Sequence, residues 1–158
     1  MRYRVYFVLS VFIAVIVSLV MIVSCNKEGV YVVVQKTLSE QLPKTGVGDS
    51  RQNVVQEMKN AEVAMKSDAQ LSYYLNGICK LVTYAFEGDE IVAMVAYVDA
   101  DKVTWNELVA EFASYRMLEN SKGEISSYLS EDNTIYGEVR SIFKDGIQYY
   151  TIGWSLIG

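Results

Sequence analysis

The side chains with most chemical potential in this chain are two cysteines, Cys25 and Cys79, and nineteen carboxylates. The sequence of 158 residues contains no histidine. This excludes histidine acid–base catalysis, histidine activation of a serine or cysteine nucleophile, and the commonest nitrogen ligand of metals. The carboxylates leave one catalytic hypothesis open, a hydrolase that uses a pair of acids, but no pair stands out in the sequence.

Two acidic stretches are candidates for a metal site. Residues 99–107 begin like a calcium loop, but Thr104 stands where that loop needs glycine, and Ala110 where it needs a bidentate glutamate. Residues 87–90 supply acids from a single turn, which gives no converging ligands. We expect both stretches to be solvated loops, and we predict no metal and no cofactor.

A long apolar segment, residues 5–24, follows Arg2 and Arg4. A helix of this length reaches about 30 Å, which is enough to cross the hydrocarbon core of a bilayer. Positive charges before such a segment favour export of the residues that follow it. Three interpretations are open: a cleaved secretory signal, an uncleaved anchor helix and a lipoprotein signal.

The sequence Ile22-Val23-Ser24-Cys25 resembles the lipobox of bacterial lipoprotein precursors, in which an aliphatic residue and small residues precede an invariant cysteine. The resemblance implies that residues 1–24 are a signal peptide and that Cys25 is the site of lipid attachment. Two or three acyl chains hold a protein on a membrane, at about 0.8 kcal/mol per buried CH₂. The resemblance therefore implies a location in the bacterial cell envelope, periplasmic or at the cell surface, outside the cytoplasm.

Residues 25–49 have the composition of a flexible tether. They contain the only proline, Pro43, followed by the glycines Gly46 and Gly48, and these residues favour turns over regular structure. Residues 50–158 are then predicted to form a single α+β domain, since a chain of this length supports one core.

Three apolar stripes with helical spacing predict helices within this domain. Asp49 with Gln52 indicates a cap before the first stripe, and Thr104 with Glu107 indicates a capping box before the third. The stripes are Val54, Val55, Met58, Ala61 and Met65; Leu71, Tyr74, Leu75 and Ile78; and Trp105, Leu108, Val109, Phe112 and Tyr115.

Two hairpins are predicted from β-prone runs that flank turns containing glycine and aspartate. The first joins residues 79–86 to residues 91–98, and the second joins residues 134–143 to residues 147–157. The run at 91–98 contains no polar residue, which predicts a central strand that is covered on both faces.

The elements occur in the order helix, hairpin, helix, hairpin, and this order predicts the fold class. We expect an α+β fold, with a mainly antiparallel sheet of four or five strands and two or three helices packed on one face. Phe86 and Phe143 precede the two turns, which leaves open a weak internal duplication.

Aromatic residues near the C-terminus indicate a candidate binding surface. Tyr136, Tyr150 and Trp154 occupy alternating positions of the second hairpin. An aromatic face suits a glycan, a peptide or a partner protein, unless the helices cover it and the rings belong to the core. The net charge of −5 argues against nucleic acid, whose phosphates require clustered Lys and Arg.

These observations predict a non-enzymatic lipoprotein that is tethered to a membrane through Cys25 and binds a ligand, an envelope protein or a glycan. One alternative is a single-span subunit of an envelope complex, in which residues 5–24 pack against partners in the bilayer. The third is the histidine-free hydrolase. Cys79 is expected to be a small buried side chain, since no histidine is present to activate its thiol.

Overall fold

The computed structural model describes residues 37–121 and 123–158. The predicted signal segment, residues 1–24, and Cys25 lie outside these ranges. The described residues form three short helices and eight strands. They are α1 (Leu38–Gln41), α2 (Arg51–Glu57), β1 (Glu62–Lys66), β2 (Gln70–Tyr74), β3 (Cys79–Glu87), β4 (Glu90–Asp99), α3 (Trp105–Ala110), β5 (Arg116–Ser121), β6 (Ile125–Leu129), β7 (Ile135–Lys144) and β8 (Ile147–Leu156).

All eight strands belong to one antiparallel sheet, in the order β1-β2-β3-β4-β8-β7-β6-β5. Two halves with the same element order build it. In the first half, residues 50–99, α2 precedes β1 to β4, and in the second half, residues 104–156, α3 precedes β5 to β8. The last strands of the halves, β4 and β8, pair at the centre, where Val95 is the direct partner of Gly153.

The helices pack on one face of the sheet, which we call the helix face. Val54 of α2 lies in a cluster with side chains of β2, β3 and β4, and Leu108 of α3 lies in a second cluster with side chains of β4, β6, β7 and β8. Leu38 of α1 joins the second cluster. Successive side chains of a strand point to opposite faces, so the other set faces away from the helices. We call that surface the open face.

The prediction of an α+β fold with four or five strands is wrong, because the protein is a mainly-β fold with one eight-stranded sheet. The second apolar stripe is the main cause of the error. Leu71 and Tyr73 of that region lie in β2, and Ser72 between them is also buried. A strand that is buried on both sides has no alternating pattern, so its apolar residues can match helical spacing by chance.

Other strands escaped prediction because they carry little hydrophobic signal. The edge strands β1 and β5 are exposed along almost their whole length. In β6 the buried residues are Ser126, Ser127 and Tyr128. The Ser126 hydroxyl donates to Asn120 Oδ1 at 3.0 Å, so this buried polar group is satisfied within the sheet.

Both predicted hairpins are confirmed, and so is the central position of the strand at 91–98. The prediction that this strand is covered on both faces is wrong, because Val95 and Tyr97 on the open face are only partly buried. Each hairpin closes with two residues between its strands. Gly88 has a φ of 62°, and Asp145 and Gly146 have φ values of 52° and 78°. Such loops need these left-handed conformations because they match the twist of the paired strands.

The capping box of α3 is also confirmed. Thr104 N donates to Glu107 Oε2 at 2.8 Å, and Glu107 N donates to Thr104 Oγ1 at 3.3 Å. The cap of α2 is Ser50 rather than Asp49, and Ser50 Oγ accepts from Asn53 N at 3.3 Å. The predicted Val54 stripe ends early, since α2 stops at Glu57 and Met65 lies in β1.

Residues 37–49, predicted to be part of the tether, belong to the same folded unit as the sheet. Leu42 is buried in the second core cluster. Lys44 N and Thr45 N donate to the Glu57 carboxylate at 2.7 and 2.9 Å. Residues 42–49 therefore form a strap that is fixed to the end of α2.

Candidate functional site

The structure separates the three aromatic residues that were predicted to share a face. In the β7–β8 pair, Trp154 is the partner of Gly137 and Tyr150 is the partner of Ser141. Tyr136 precedes Gly137 in β7 and therefore points to the opposite side of the sheet. Trp154 and Tyr150 lie on the helix face, whereas Tyr136 lies on the open face.

The two residues on the helix face take part in core packing. Tyr150 meets Trp105 of α3 edge-on, with 5.6 Å between ring centroids, and Trp154 lies 5.3 Å from Phe112. This is the arrangement expected if helices cover the aromatic face. On the open face, the Tyr136 hydroxyl donates to Glu138 Oε2 at 3.0 Å, and burial raises the pKa of Tyr136.

The open face carries a groove of about 560 Å³ that the sequence analysis did not predict. Direct cross-strand partners form its floor. Tyr74 of β2 lies beside Leu81 of β3, and Leu81 lies beside Tyr97 of β4. Tyr149 of β8 and its partner Ile142 of β7 continue the surface into the second half. The remaining lining residues are Lys80, Phe143, Lys144, Asp145 and Ile147.

Several apolar side chains of the groove are exposed. Tyr74 and Ile147 each expose 53% of their surface. Phe143 is 75% exposed at the hairpin tip, where the register places it on the other side of the ribbon from Ile142 and Lys144. A contiguous exposed apolar surface is uncommon on a soluble monomer and marks an interaction site.

The length of the second hairpin explains why residues near its turn line the groove. Five residue pairs separate the buried pair Val139–Ile152 from the turn, but only three separate Tyr84–Met94 from the turn of the first hairpin. Ile142 belongs to this longer segment. The second hairpin therefore extends further than the first and lines the groove with its distal residues.

Charged groups surround the apolar floor of the groove. Asp99 Oδ2 forms ion pairs with Lys80 Nζ at 3.8 Å and with Lys102 Nζ at 3.6 Å. Lys144 and Asp145 stand at the hairpin turn on the opposite side. An aromatic centre with a charged rim is the usual composition of a protein–protein interface.

Cys79 does not contribute to the groove. It begins β3, is 1% exposed, and its Sγ lies 3.6 Å from the carbonyl oxygen of Leu81. Burial raises the pKa of the thiol to about 11, so the group is protonated at neutral pH and is a poor nucleophile. The prediction of a small buried side chain is confirmed.

Metal ligands do not converge within residues 37–121 and 123–158, where the structure shows no group of three or more acidic or cysteine side chains able to hold an ion. Of the helices in the same ranges, none combines the length and the apolar character required to span a membrane.

Comparison with protein-family models and with curated protein sequences finds no match. Among solved structures, a cysteine-rich secretory protein from Staphylococcus aureus subsp. aureus Mu50 is similar to this chain with a TM-score of 0.36 and 17% sequence identity. The similarity covers 72% of this chain and 47% of that protein. This chain thus spans about half the length of that protein.

Proposed function

We propose that this chain is a lipid-anchored binding protein of the bacterial cell envelope, and that the groove on its open face recognises a partner protein. The observation that carries the recognition step is the contiguous aromatic and aliphatic surface on a sheet face that no described helix covers. The anchoring step rests on the resemblance of residues 22–25 to a lipobox, which assigns the lipid to Cys25.

The shape and composition of the groove favour a protein over a small molecule. Small ligands are usually enclosed on most of their surface, in a concave pocket with a few converging polar groups. Here the floor is the face of a sheet, built from five strands of both halves. Tyr74, Tyr97 and Tyr149 offer broad rings together with hydroxyl groups, a combination that is enriched where proteins meet.

The exposed residues of the groove have no evident role in stability. Tyr74 and Ile147 are absent from both core clusters, which are built from helix-face side chains such as Val54 and Ile152. Polar residues at the two exposed positions would keep the fold and improve solubility. Their apolar character is therefore better explained by recognition than by folding.

Quantitative co-purification from cross-linked native membranes tests the recognition step. Tyr74→Ser and Ile147→Ser each remove an exposed side chain from the groove. The matched control is Val55→Ser, because Val55 is 52% exposed but lies on α2. We expect both groove variants to lose the same partner, by at least about tenfold, because hot-spot truncation commonly costs 2 kcal/mol or more, while the control retains it.

Urea unfolding of the same three variants separates binding from folding. We expect changes in unfolding free energy within about 0.5 kcal/mol, as for exposed substitutions elsewhere. Retention of every partner by both groove variants, with folding intact, would contradict recognition by the groove. Loss of one common partner from all three variants, Val55→Ser included, would contradict it as well.

Intact mass of the membrane-extracted protein, beside a Cys25→Ser variant, tests the anchor separately. We expect loss of residues 1–24 and added acyl mass in the parent, and neither change in the variant. An unacylated full-length chain that stays in the membrane would instead support the single-span alternative. Recognition by the groove would survive that result, because it depends on a different part of the chain.

A further inference from the structure

A second cavity, of about 290 Å³, lies on the helix face where the two halves meet, and we call it the seam pocket. Met94 of β4 and Trp154 of β8, which are direct cross-strand partners, line it from the sheet. The strap lines it from one side, and Glu111 and Tyr115, which follow α3, line it from another. The pocket is separate from the groove because it lies on the opposite face of the sheet.

Glu111 supplies the one charge among the described residues that line the seam pocket. Its carboxylate has neither a hydrogen bond nor an ion pair with any residue in the described part of the chain. Burial raises the pKa of Glu111, because the charged form loses part of its hydration. Arg116, five residues further along the chain, donates to Asn133 Oδ1 at 3.4 Å.

Aromatic rings complete the environment of this carboxylate. Trp154 and Tyr115 both contact the buried ring of Phe112, with centroids 5.3 and 5.4 Å away, which fixes their positions. The faces of indole and phenol rings attract cations. Burial is the main reason that the pKa of Tyr115 is raised, and the negative charge of Asp132 raises it further.

We propose that the seam pocket binds a small organic cation, an ammonium group, with Glu111 as its counter-ion and Trp154 as its aromatic wall. An ammonium ion would supply the partner that the Glu111 carboxylate lacks, while the ring would offset part of the hydration that the cation loses. The volume is at the lower end of the range for ligand sites, roughly 300 to 1,000 Å³. The ligand must therefore be small.

Choline chloride is a suitable probe, and 3,3-dimethylbutan-1-ol is the uncharged molecule of the same shape. The chain has two tryptophans, so Trp105→Phe leaves Trp154 as the only indole and its fluorescence reports on the pocket. Using the full chain in this background, we expect a saturable change with choline. We expect no such change with the alcohol, or with sodium chloride at equal ionic strength.

Glu111→Gln removes the charge and keeps the shape of the side chain. We expect choline binding to weaken at least about tenfold, equivalent to 1.4 kcal/mol, and the melting temperature without choline to be unchanged or higher, since an unpaired desolvated carboxylate is gone. Choline should raise the melting temperature of the parent, by an amount that grows with the logarithm of the choline concentration once that concentration exceeds the dissociation constant. An equal response to choline and the alcohol, no saturable response, or full binding by a folded Glu111→Gln variant would each overturn the proposal.

Discussion

The tips of the two hairpins have similar sequences but different surroundings. Phe86 precedes the first turn and is 8% exposed, and the guanidinium carbon of Arg51 lies 4.1 Å from its ring centroid. Phe143 precedes the second turn and is 75% exposed. The same residue type therefore stabilises the fold in one half and forms an exposed tip in the other.

The strap accounts for much of this difference. Gly48 N of the strap donates to Ile91 O at 2.9 Å, and Ile91 N donates to Asp49 O at 2.9 Å. Just beyond the strap, Arg51 N at the start of α2 donates to Asp89 O at 2.7 Å. In the described part of the chain, no backbone hydrogen bond from outside the second hairpin reaches residues 143–148. Two halves with the same element order therefore differ at their hairpin tips, of which one is bonded to the rest of the fold and the other lines the groove.

The largest expected difference between the halves is in the response of the two phenylalanines to truncation. Phe86→Ala should lower the free energy of unfolding by about 3 kcal/mol, because it removes a buried ring and leaves a cavity. Phe143→Ala should change it by no more than about 0.5 kcal/mol, as for other exposed positions. Urea denaturation of both variants measures the two changes in unfolding free energy. Similar losses at the two positions would contradict a structural difference between the hairpin tips.

Gly137 occupies the position in the second half that Val82 occupies in the first. The cross-strand partners of Gly137 are Tyr128 and Trp154, and those of Val82 are Tyr73 and Ala96. A Cβ at Gly137 would lie 2.1 Å from Phe112 Cε1, so there is no room for a side chain.

Gly137→Val should therefore destabilise the protein by about 2 to 3 kcal/mol through overpacking. Phe112 in the second half corresponds to Met58 in the first. Phe112→Met should therefore recover a large part of this loss in the double variant. Thermal unfolding of both single variants and the double variant completes the cycle. If the stability loss of the double variant equals the sum of the two single losses, the proposed compensation between positions 137 and 112 is contradicted.

Each half also contains a buried tyrosine hydroxyl that has no hydrogen-bond partner among the described residues, Tyr84 in the first and Tyr128 in the second. Burial is the main reason that the pKa of Tyr84 is raised. Tyr84→Phe and Tyr128→Phe should each increase the unfolding free energy by about 1 kcal/mol, since an unsatisfied polar group is removed without a change in shape. A loss of stability from either substitution, measured in urea, would reveal a partner for that hydroxyl.

The smallest expected difference concerns the helix caps. Ser50→Ala and Thr104→Ala should each cost about 1 kcal/mol, with the greater loss at Thr104 because it also bonds Glu107. These bonds hold the pKa of Glu107 below its ordinary value, so this part of the stability is present at neutral pH and is lost as the pH falls through the lowered value. Unfolding is measured at neutral pH and at about pH 3. We expect the difference between the stability losses of Thr104→Ala and Ser50→Ala to be smaller at the acidic pH. The same difference at both pH values would contradict a contribution from the hydrogen bonds between Thr104 and the ionised Glu107 carboxylate.

The sequence predicted the parts of the fold that carry local signals. The turn at Asp145 and Gly146, the capping box at Thr104 and the apolar run at 91–98 each depend on neighbouring residues, and the structure confirms them. The edge strands and β6 have no such signal, because their pairing is decided by strands distant in the sequence. Ser126, for example, is buried only because β5 and β7 lie on either side of it.

The groove was not predicted for the same reason. The spacing of Tyr74 predicts a helix, and a helix would not place this residue in one row with Leu81 and Tyr97. Tyr149 and Tyr150 are neighbours in β8 and point to opposite faces, and the sequence alone does not show which of them faces a groove. Aromatic content indicated a binding surface, but only the register of the sheet shows which rings share a face.

Site-specific photo-cross-linking shows whether the open face recognises a partner while the helix face packs the core of the fold. A benzophenone amino acid is placed at Ile147 in one full-length chain and at Val55 in another, positions that are 53% and 52% exposed. We expect irradiation of native membranes to yield one defined protein adduct from position 147 and none from position 55. Adducts from position 55 alone, the same adducts from both positions, or no adduct from position 147 would contradict it.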